Sequence, residues 1–177
     1  MRSTLLLDHL WSPWRLEYIL GPKAPHCVFC QKPIAGDDET EHLLVRGQTC
    51  YIALNRYPYN NGHLLVVPYA HVPSLEDLPA ATLTEMMLLI NQGMAALRLA
   101  MHPQGFNVGA NLGKVAGAGI EAHVHMHVVP RWSADTNFMT VVGETRTIPE
   151  SLDQTFNGLR QALATLAVTE KKTTSFP

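Results

Sequence analysis

The chain has few charged residues, few cysteines and no basic run. Charged residues make up 16% of the 177 positions, against about a quarter in an average soluble domain. The net charge of −2 excludes nucleic-acid binding through a phosphate-neutralising basic patch. Three cysteines, an odd number, do not predict a disulfide framework.

Long apolar runs are also missing. None approaches the roughly 20 residues of a membrane span, and Asp8 interrupts the N-terminal leucines too early for a signal peptide. We therefore expect a soluble, cytoplasmic protein without membrane or nucleic-acid partners. The length fits one domain with a proper core, and the 46% apolar content favours an oligomer that hides further surface.

The hydrophobic pattern predicts an α+β fold. Gly, Pro and Asn mark the loops between the predicted elements. The predicted strands are 42–46, 50–55, 63–68, 106–111 and 122–130, and the predicted helices are 82–101 and 149–168. Thr82 and Glu85 are candidates for a capping box at the start of the long helix, and Pro103 ends it.

The segment HVHMHVVPRW places His123, His125 and His127 at alternate positions. Two-residue spacing is the period of a strand, so the three imidazoles are expected on one face, about 6–7 Å apart. A neutral imidazole can attack phosphorus if its second nitrogen is held by an acceptor. The central His125 has a neighbour on each side to bind oxygens or relay protons. A metal site is the rival interpretation, since two such histidines can bind one ion.

A glycine-rich loop, NLGKVAGAG, precedes this strand. Glycine lets the backbone approach an anion closely, and consecutive N–H groups can bind phosphate, so the loop is a candidate phosphate cradle.

The pair Cys27 and Cys30, in C-V-F-C, supplies half of a tetrahedral zinc site. Cys50 lies within a predicted strand, so histidines would have to complete that site. A redox pair is the alternative, but no thioredoxin-like βαβ pattern surrounds the motif.

The stretch G-H-L-L-V-V-P-Y-A-H (62–71), followed by H-V-H-M-H-V-V-P-R (123–131), resembles the histidine triad nucleotide-binding superfamily. The resemblance covers residues 26–140, preceded by an arm (1–25) and followed by a C-terminal helix and tail (141–177). It implies an antiparallel half-barrel sheet with one long helix, usually in a homodimer. It also implies cleavage or transfer of nucleotidyl groups at an α-phosphate.

The resemblance implies a role for each matching side chain. His125 matches the nucleophile, and His127 and His63 match the flanking histidines that contact phosphate oxygens and the leaving group. Matches at the substrate site are Asn55 for the ribose hydroxyls, Leu65 for the base pocket and Asn111 near the phosphates. In zinc-carrying members the ligands match Cys27, Cys30, His71 and His123, which implies a structural Zn²⁺ and a structural role for His123.

Two further stretches resemble narrower branches. A-L-N-R-Y-P-Y-N-N-G-H (53–63) resembles the dinucleoside polyphosphate branch. P-R-W-x-x-D-T-N-F-M (130–139), with the W-S-P-W-R-x-E-Y-I start, resembles bacterial diadenosine tetraphosphate phosphorylases. These matches imply an adenine dinucleotide or mononucleotide as substrate.

Many hydrolases of the superfamily carry Gln-Ser or Gln-Thr before the triad, whereas this chain has Gly117-Ala118-Gly119. Backbone N–H groups of Gly117 and Gly119 are then expected to hold the phosphate, and inorganic phosphate is the expected acceptor. A hydrolase, an adenosine phosphoramidase and a non-catalytic nucleotide sensor are the alternatives. Trp132 is expected either to wall the mouth of the nucleotide site or to fill a gap in the core or in a dimer.

Overall fold

The computed structural model describes residues 26–133, 135 and 150–173, with side chains described as far as residue 169. The predicted N-terminal arm and the end of the predicted tail lie outside these residues. Within this part of the chain, no helix is both long and apolar enough to cross a membrane.

Five strands form one open antiparallel sheet, which confirms the predicted α+β class. The strands are β1 (Leu43–Arg46), β2 (Cys50–Leu54), β3 (Leu64–Pro68), β4 (Gly105–Gly109) and β5 (Met126–Arg131). Their order across the sheet is β1-β2-β3-β5-β4, so β5, which carries His127, lies between β3 and β4. Among the described residues, the edges of the sheet are therefore β1 and β4.

The described part of the chain also contains the helices α1 (Val28–Gln31), α2 (Ala80–Met101) and α3 (Leu152–Thr173). Short 3₁₀ turns lie at Lys32–Ile34, Leu75–Asp77 and Lys114–Ala116. Helices α2 and α3 lie on one face of the sheet and close the main core there, with Ile52, Leu64, Ile90, Leu97 and Phe156 among its buried members. Alternate residues of β2 and β3 point to the opposite face, where Tyr51 and Leu65 pack with Phe29 of α1.

The predicted capping box is wrong. Helix α2 begins at Ala80, two residues earlier than predicted, after an N-cap at Pro79 without a side-chain hydrogen bond. Glu85 instead accepts hydrogen bonds from the backbone N–H groups of Gln48 and Thr49 in the turn between β1 and β2, both at 2.6 Å. The carboxylate of Glu85, which the sequence pattern assigns to the helix cap, therefore binds a turn that is distant in the sequence.

The strand predicted at 122–130 starts later than expected, so His123 and His125 precede β5. Its ladder with β3 stops at Met126, opposite Val66. Two residues further along β3, Pro68 has no N–H to donate, and the N–H of Val124 donates to the carbonyl of Val72 at 2.7 Å. The two-residue alternation persists, because Val124 and Val128 are both buried in the main core.

Gly62 makes the turn that leads into β3. Its φ of +73° lies in the left-handed region, and a Cβ there would come within 2.8 Å of Leu97 and Met101. Only glycine combines this backbone conformation with such a close approach to α2. The turn delivers His63, which is fully buried, to the face away from the helices.

Candidate functional site

His125 is held in the neutral form that a nucleophile requires. Its side chain is 8% exposed, and its Nδ1 lies 2.9 Å from the carbonyl oxygen of His123. A carbonyl only accepts, so Nδ1 carries the proton and Nε2 keeps a lone pair. Burial lowers the pKa of His125, and the bond to the His123 carbonyl opposes this only partly. The lone pair is therefore available at neutral pH.

His63 and His127 form a hydrogen-bonded pair beside His125. The Nδ1 of His63 accepts from the backbone N–H of Tyr59 at 3.0 Å and lies 3.2 Å from the amide nitrogen of Asn55. Two donors at Nδ1 place the proton of His63 on Nε2, which donates to Nδ1 of His127 at 2.9 Å. His127 therefore carries its own proton on Nε2, as a donor to a substrate oxygen would.

The sheet supplies an apolar surface, the floor of the site, next to the histidines. Leu65 is the register partner of both Ala53 and His127, and its side chain is 4% exposed. On the other side His127 pairs with Gly109 at the end of β4, two residues before Asn111. The ring centroids of His125 and His127 are 4.9 Å apart. Tertiary structure thus brings the predicted catalytic histidines together with Asn55 and Leu65.

A second cluster lies on the same face, formed by Cys27, Cys30, His71 and His123. One ligand atom from each residue lies within 4.8 Å of every other. The Nδ1 of His123 is 3.3 Å from Sγ of Cys27 and 3.5 Å from Sγ of Cys30. The Nδ1 of His71 is 3.3 Å from Sγ of Cys30. These four residues could hold a metal ion.

The surroundings of this cluster fit a cation. His123 donates from Nε2 to the carbonyl of Pro68 at 2.9 Å, which turns the lone pair of Nδ1 towards the two sulfurs. Burial raises the pKa of Cys30, and the hydrogen bond and negative charge of Cys27 raise it further. A cation between the sulfurs removes that penalty, because a metal-bound thiol is deprotonated outright.

The glycine-rich loop is folded as a closed turn. Its N–H groups at Ala116, Gly117 and Ala118 donate to the carbonyls of Gly113 and Lys114, at 3.0–3.3 Å. A phosphate held by the N–H of Gly117 has to replace one of these bonds. The phosphate-binding roles of Gly117 and Gly119 stay predictions.

Trp132 lies away from the histidine site within the chain. Its indole Nε1 donates to the carbonyl of Met101, at the C-terminal end of α2, at 3.2 Å. Six residues separate it from His125, which corresponds to a distance on the order of 20 Å along an extended chain. The indole is half-buried beside the end of α2, and its place at the mouth of the nucleotide site stays a prediction.

Two aromatic residues at the site had no assigned role in the sequence. Phe29 lies between the two cysteines, and its ring centroid is 4.7 Å from that of His125. Tyr59 stacks on His63 with centroids 4.8 Å apart and an interplanar angle of 28°. The C-V-F-C motif shows an aromatic residue between the ligands, but the contact to His125 spans 96 positions and needs the folded chain.

A buried neutral imidazole, a paired histidine donor and an apolar floor beside them define a histidine triad site. The comparisons with known proteins give the family. The HIT domain model matches residues 37–134. The AP-4-A phosphorylase of Mycobacterium tuberculosis is 39% identical over 168 residues, which cover 90% of this chain and 84% of that protein. The chain belongs to the HIT domain family.

Other relatives and structures show the same family with different named activities. The adenosine 5'-monophosphoramidase of Saccharomyces cerevisiae is 30% identical over 105 residues, 59% of this chain and 62% of that protein. A crystal structure of a Zn-bound histidine triad family protein from Mycobacterium smegmatis superposes with a TM-score of 0.66 at 29% identity. That match covers 81% of this chain and 96% of that one.

Proposed function

We propose that the chain cleaves diadenosine polyphosphates such as diadenosine tetraphosphate at the α-phosphate, with inorganic phosphate as the favoured acceptor. The observation that carries this proposal is the bond from Nδ1 of His125 to the carbonyl of His123, which leaves the lone pair of Nε2 for attack. The 39% identity to an AP-4-A phosphorylase supports the choice of substrate.

The reaction has two displacements at one phosphorus atom. In the first, Nε2 of His125 forms a bond to the α-phosphorus, and the bond from that phosphorus to the bridging oxygen breaks, releasing ATP. In the second, an oxygen of inorganic phosphate attacks the same phosphorus and breaks the phosphorus–nitrogen bond, releasing ADP. The attacking phosphate gives up one proton, so diadenosine tetraphosphate and phosphate become ATP, ADP and a proton.

The neighbouring residues position the substrate during both steps. We assign the proton on Nε2 of His127 to the non-bridging or leaving oxygens, because His63 holds His127 in that tautomer. Leu65 and Ala53 supply apolar surface for a base. Asn55 and Asn111 supply amides for the ribose and phosphates, although Asn55 already contacts His63.

The products of one incubation test this assignment. With diadenosine tetraphosphate and phosphate present, we expect ADP and ATP in equal amounts and a transient adenylyl group on the peptide that carries His125. AMP with ATP would instead identify a hydrolase. Tight binding without products would identify a nucleotide sensor. Turnover of an adenylate amide faster than that of the dinucleotide would identify a phosphoramidase.

We also propose that the cluster of Cys27, Cys30, His71 and His123 binds Zn²⁺. Two thiolates and two imidazole nitrogens are a typical donor set for structural zinc, and the spacing of the four atoms supports it. Such an ion would fix the start of the domain to the loop before β5. Metal analysis of the purified protein is expected to find one zinc per chain and none in Cys27→Ser, together with a lower melting temperature.

We propose further that two copies of the chain pair through β4. This strand is an edge of the sheet, has no proline or charged residue, and its second half is exposed. Natural edge strands without such protection pair with another strand or are covered. Val108 and Leu112 are 42% and 38% exposed on and just after this strand, which adds apolar surface to the same edge.

A further inference from the structure

The two cysteines of the metal cluster flank Phe29 in the one-turn helix α1. The ring of Phe29 leaves the cluster and packs against His125, with centroids 4.7 Å apart and an interplanar angle of 52°. It also contacts His123 edge-on at 5.5 Å. The side chain is 5% exposed, so one apolar ring covers a face of the imidazole to which we assign the attack on phosphorus.

A buried hydrogen bond joins the backbone of this turn to the sheet. The hydroxyl of Tyr51, a fully buried residue of β2, donates to the carbonyl of Phe29 at 2.8 Å. The carbonyl of Cys27 accepts from the N–H groups of Cys30 and Gln31, both at 3.1 Å. The Phe29 ring is thus held by its packing against Tyr51 and Leu65, by the bond from the Tyr51 hydroxyl to its carbonyl, and by the geometry of the two cysteines on either side.

A second restraint on His125 starts from the same cluster. The carbonyl that accepts the proton of His125 Nδ1 belongs to His123, whose own Nδ1 faces the two sulfurs. The ring of Phe29 and the carbonyl of His123 therefore hold the imidazole of His125 from two sides. Both belong to residues that are in the cluster or between its cysteines.

We propose that Phe29 is a positioning residue for His125, through which the Cys27–Cys30 turn sets the orientation of the nucleophile. The inference rests on the proposed function, since it assigns to His125 the attack on phosphorus. The inference goes beyond a structural metal site, because it predicts that the geometry of the cluster affects the rate of the covalent step. Orientation of a nucleophile acts on kcat more than on substrate binding. Leu65 and Ala53, which we assign to the base, belong to the same buried cluster as Phe29, so the test keeps an apolar side chain at position 29.

Phe29→Leu tests the inference, with Val28→Ala as the control. Val28 lies in the same turn and is 41% exposed, so the control disturbs the turn without removing the contact to His125. We expect Phe29→Leu to keep its zinc content and nearly its melting temperature, to lose on the order of tenfold in kcat, and to keep KM within a factor of about two. If Phe29→Leu does not fold, Phe29→Met keeps a flexible apolar side chain of similar reach.

A spectroscopic measurement gives a result that does not depend on turnover. The ¹⁵N chemical shifts of His125 report which ring nitrogen carries the proton. In the wild-type protein with zinc we expect protonation at Nδ1 alone. We expect a mixture of the two His125 tautomers in Phe29→Leu and in wild-type protein from which a chelator has removed zinc. Adding zinc back is expected to restore the single tautomer in the wild type but not in Phe29→Leu.

The outcomes separate the inference from the proposed function. A wild-type protein that forms no adenylyl-His125 contradicts the proposed function. A wild-type protein that turns over normally while Phe29→Leu keeps both kcat and the single tautomer contradicts the inference alone. An equal loss of kcat in Val28→Ala also contradicts it, because the effect would then come from the turn as a whole.

Discussion

At the residue scale, the function of each imidazole depends on which of its nitrogens carries the proton. Backbone groups fix that proton for His125 and His63, and His63 in turn fixes it for His127. His125 donates to the carbonyl of His123, His63 accepts from the N–H of Tyr59, and His127 accepts from His63. Each bond joins an imidazole ring to a rigid partner, so the proton positions of the site are fixed before substrate binds.

Replacing the nucleophile tests the covalent route. His125→Ala is expected to lose several orders of magnitude in kcat while nucleotide binding and the melting temperature stay close to wild type, because only the covalent step is removed. The control is His102→Asn, since His102 is exposed at a left-handed position that asparagine also tolerates. Steady-state rates and equilibrium dialysis measure both quantities. Near-normal turnover in His125→Ala would contradict the mechanism.

We expect single residues to decide the choice of acceptor as well. Gly119→Ser places a hydroxyl in the loop before the histidines, where it is expected to crowd the phosphate acceptor. The products are then expected to shift from ADP towards AMP, because the choice of acceptor depends on the space and the hydrogen-bond donors around it. Chromatography of the nucleotides gives the ratio. Ala116→Ser, in the exposed 3₁₀ turn of the same loop, is the control. An unchanged ratio at normal rate would place acceptor selection elsewhere.

At the element scale, one carboxylate joins the long helix to the sheet. Glu85 of α2 accepts hydrogen bonds from Thr49 and Gln48 in the turn between β1 and β2. Partial burial raises the pKa of Glu85, but these hydrogen bonds lower it by more, so the pKa lies below its ordinary value. Glu85→Ala is expected to cost about 1–3 kcal/mol of unfolding free energy, since charged hydrogen bonds are lost and backbone donors are left unpaired. Gln92→Ala, on the exposed side of the same helix, is expected to cost almost nothing.

The same carboxylate predicts a pH dependence. Its pKa is lower in the folded than in the unfolded protein, so its contribution to stability is complete above the unfolded value of about 4.3 and disappears as the pH falls through the folded value. Urea unfolding at pH 7 and at about pH 3.5 measures this. The difference between wild type and Glu85→Ala is expected to shrink at the lower pH. A constant difference would show that packing alone explains it.

Trp132 ties the end of β5 to the end of α2. Trp132→Ala is expected to lower stability by about 2 kcal/mol, less than the roughly 3–5 kcal/mol of a fully buried aromatic residue, because the indole is half-buried. Trp132→Phe keeps an aromatic ring of smaller area and loses the bond to the carbonyl of Met101. Melting temperature and KM are measured together. A raised KM at unchanged melting temperature would support the prediction that Trp132 walls the nucleotide site.

At the scale of the whole molecule, the sheet ends in an edge that one chain leaves uncovered over the described residues. Val108→Lys puts a charge on this edge, so it is expected to convert a dimer into a monomer, seen by sedimentation at micromolar concentration. Val168→Lys, on the exposed side of α3, adds the same charge elsewhere and should leave the dimer intact. A wild-type chain that sediments as a monomer would refute pairing through β4.

The amino-acid sequence by itself determined much of this protein. Local patterns determine the α+β class, the existence of every strand and long helix, and the alternation that turns the histidines from the main core. Those features follow from side-chain periodicity and from breakers such as Pro103, which act over a few residues. The histidine spacing and the C-V-F-C motif also predict which residues form the site. They do so because they resemble motifs of a known family, and this resemblance identifies residues that are distant in the sequence, which periodicity alone cannot do.

Only the tertiary structure decided how those residues are joined. The proton positions of His63 and His127 depend on a loop and two strands meeting, and the N–H-free Pro68 decides where the ladder to β5 stops. Glu85 binds a turn 36 residues away, Trp132 faces α2, and Phe29 reaches His125. These contacts join distant parts of the chain, and their strength depends on burial and on donors that exist only once the sheet has formed.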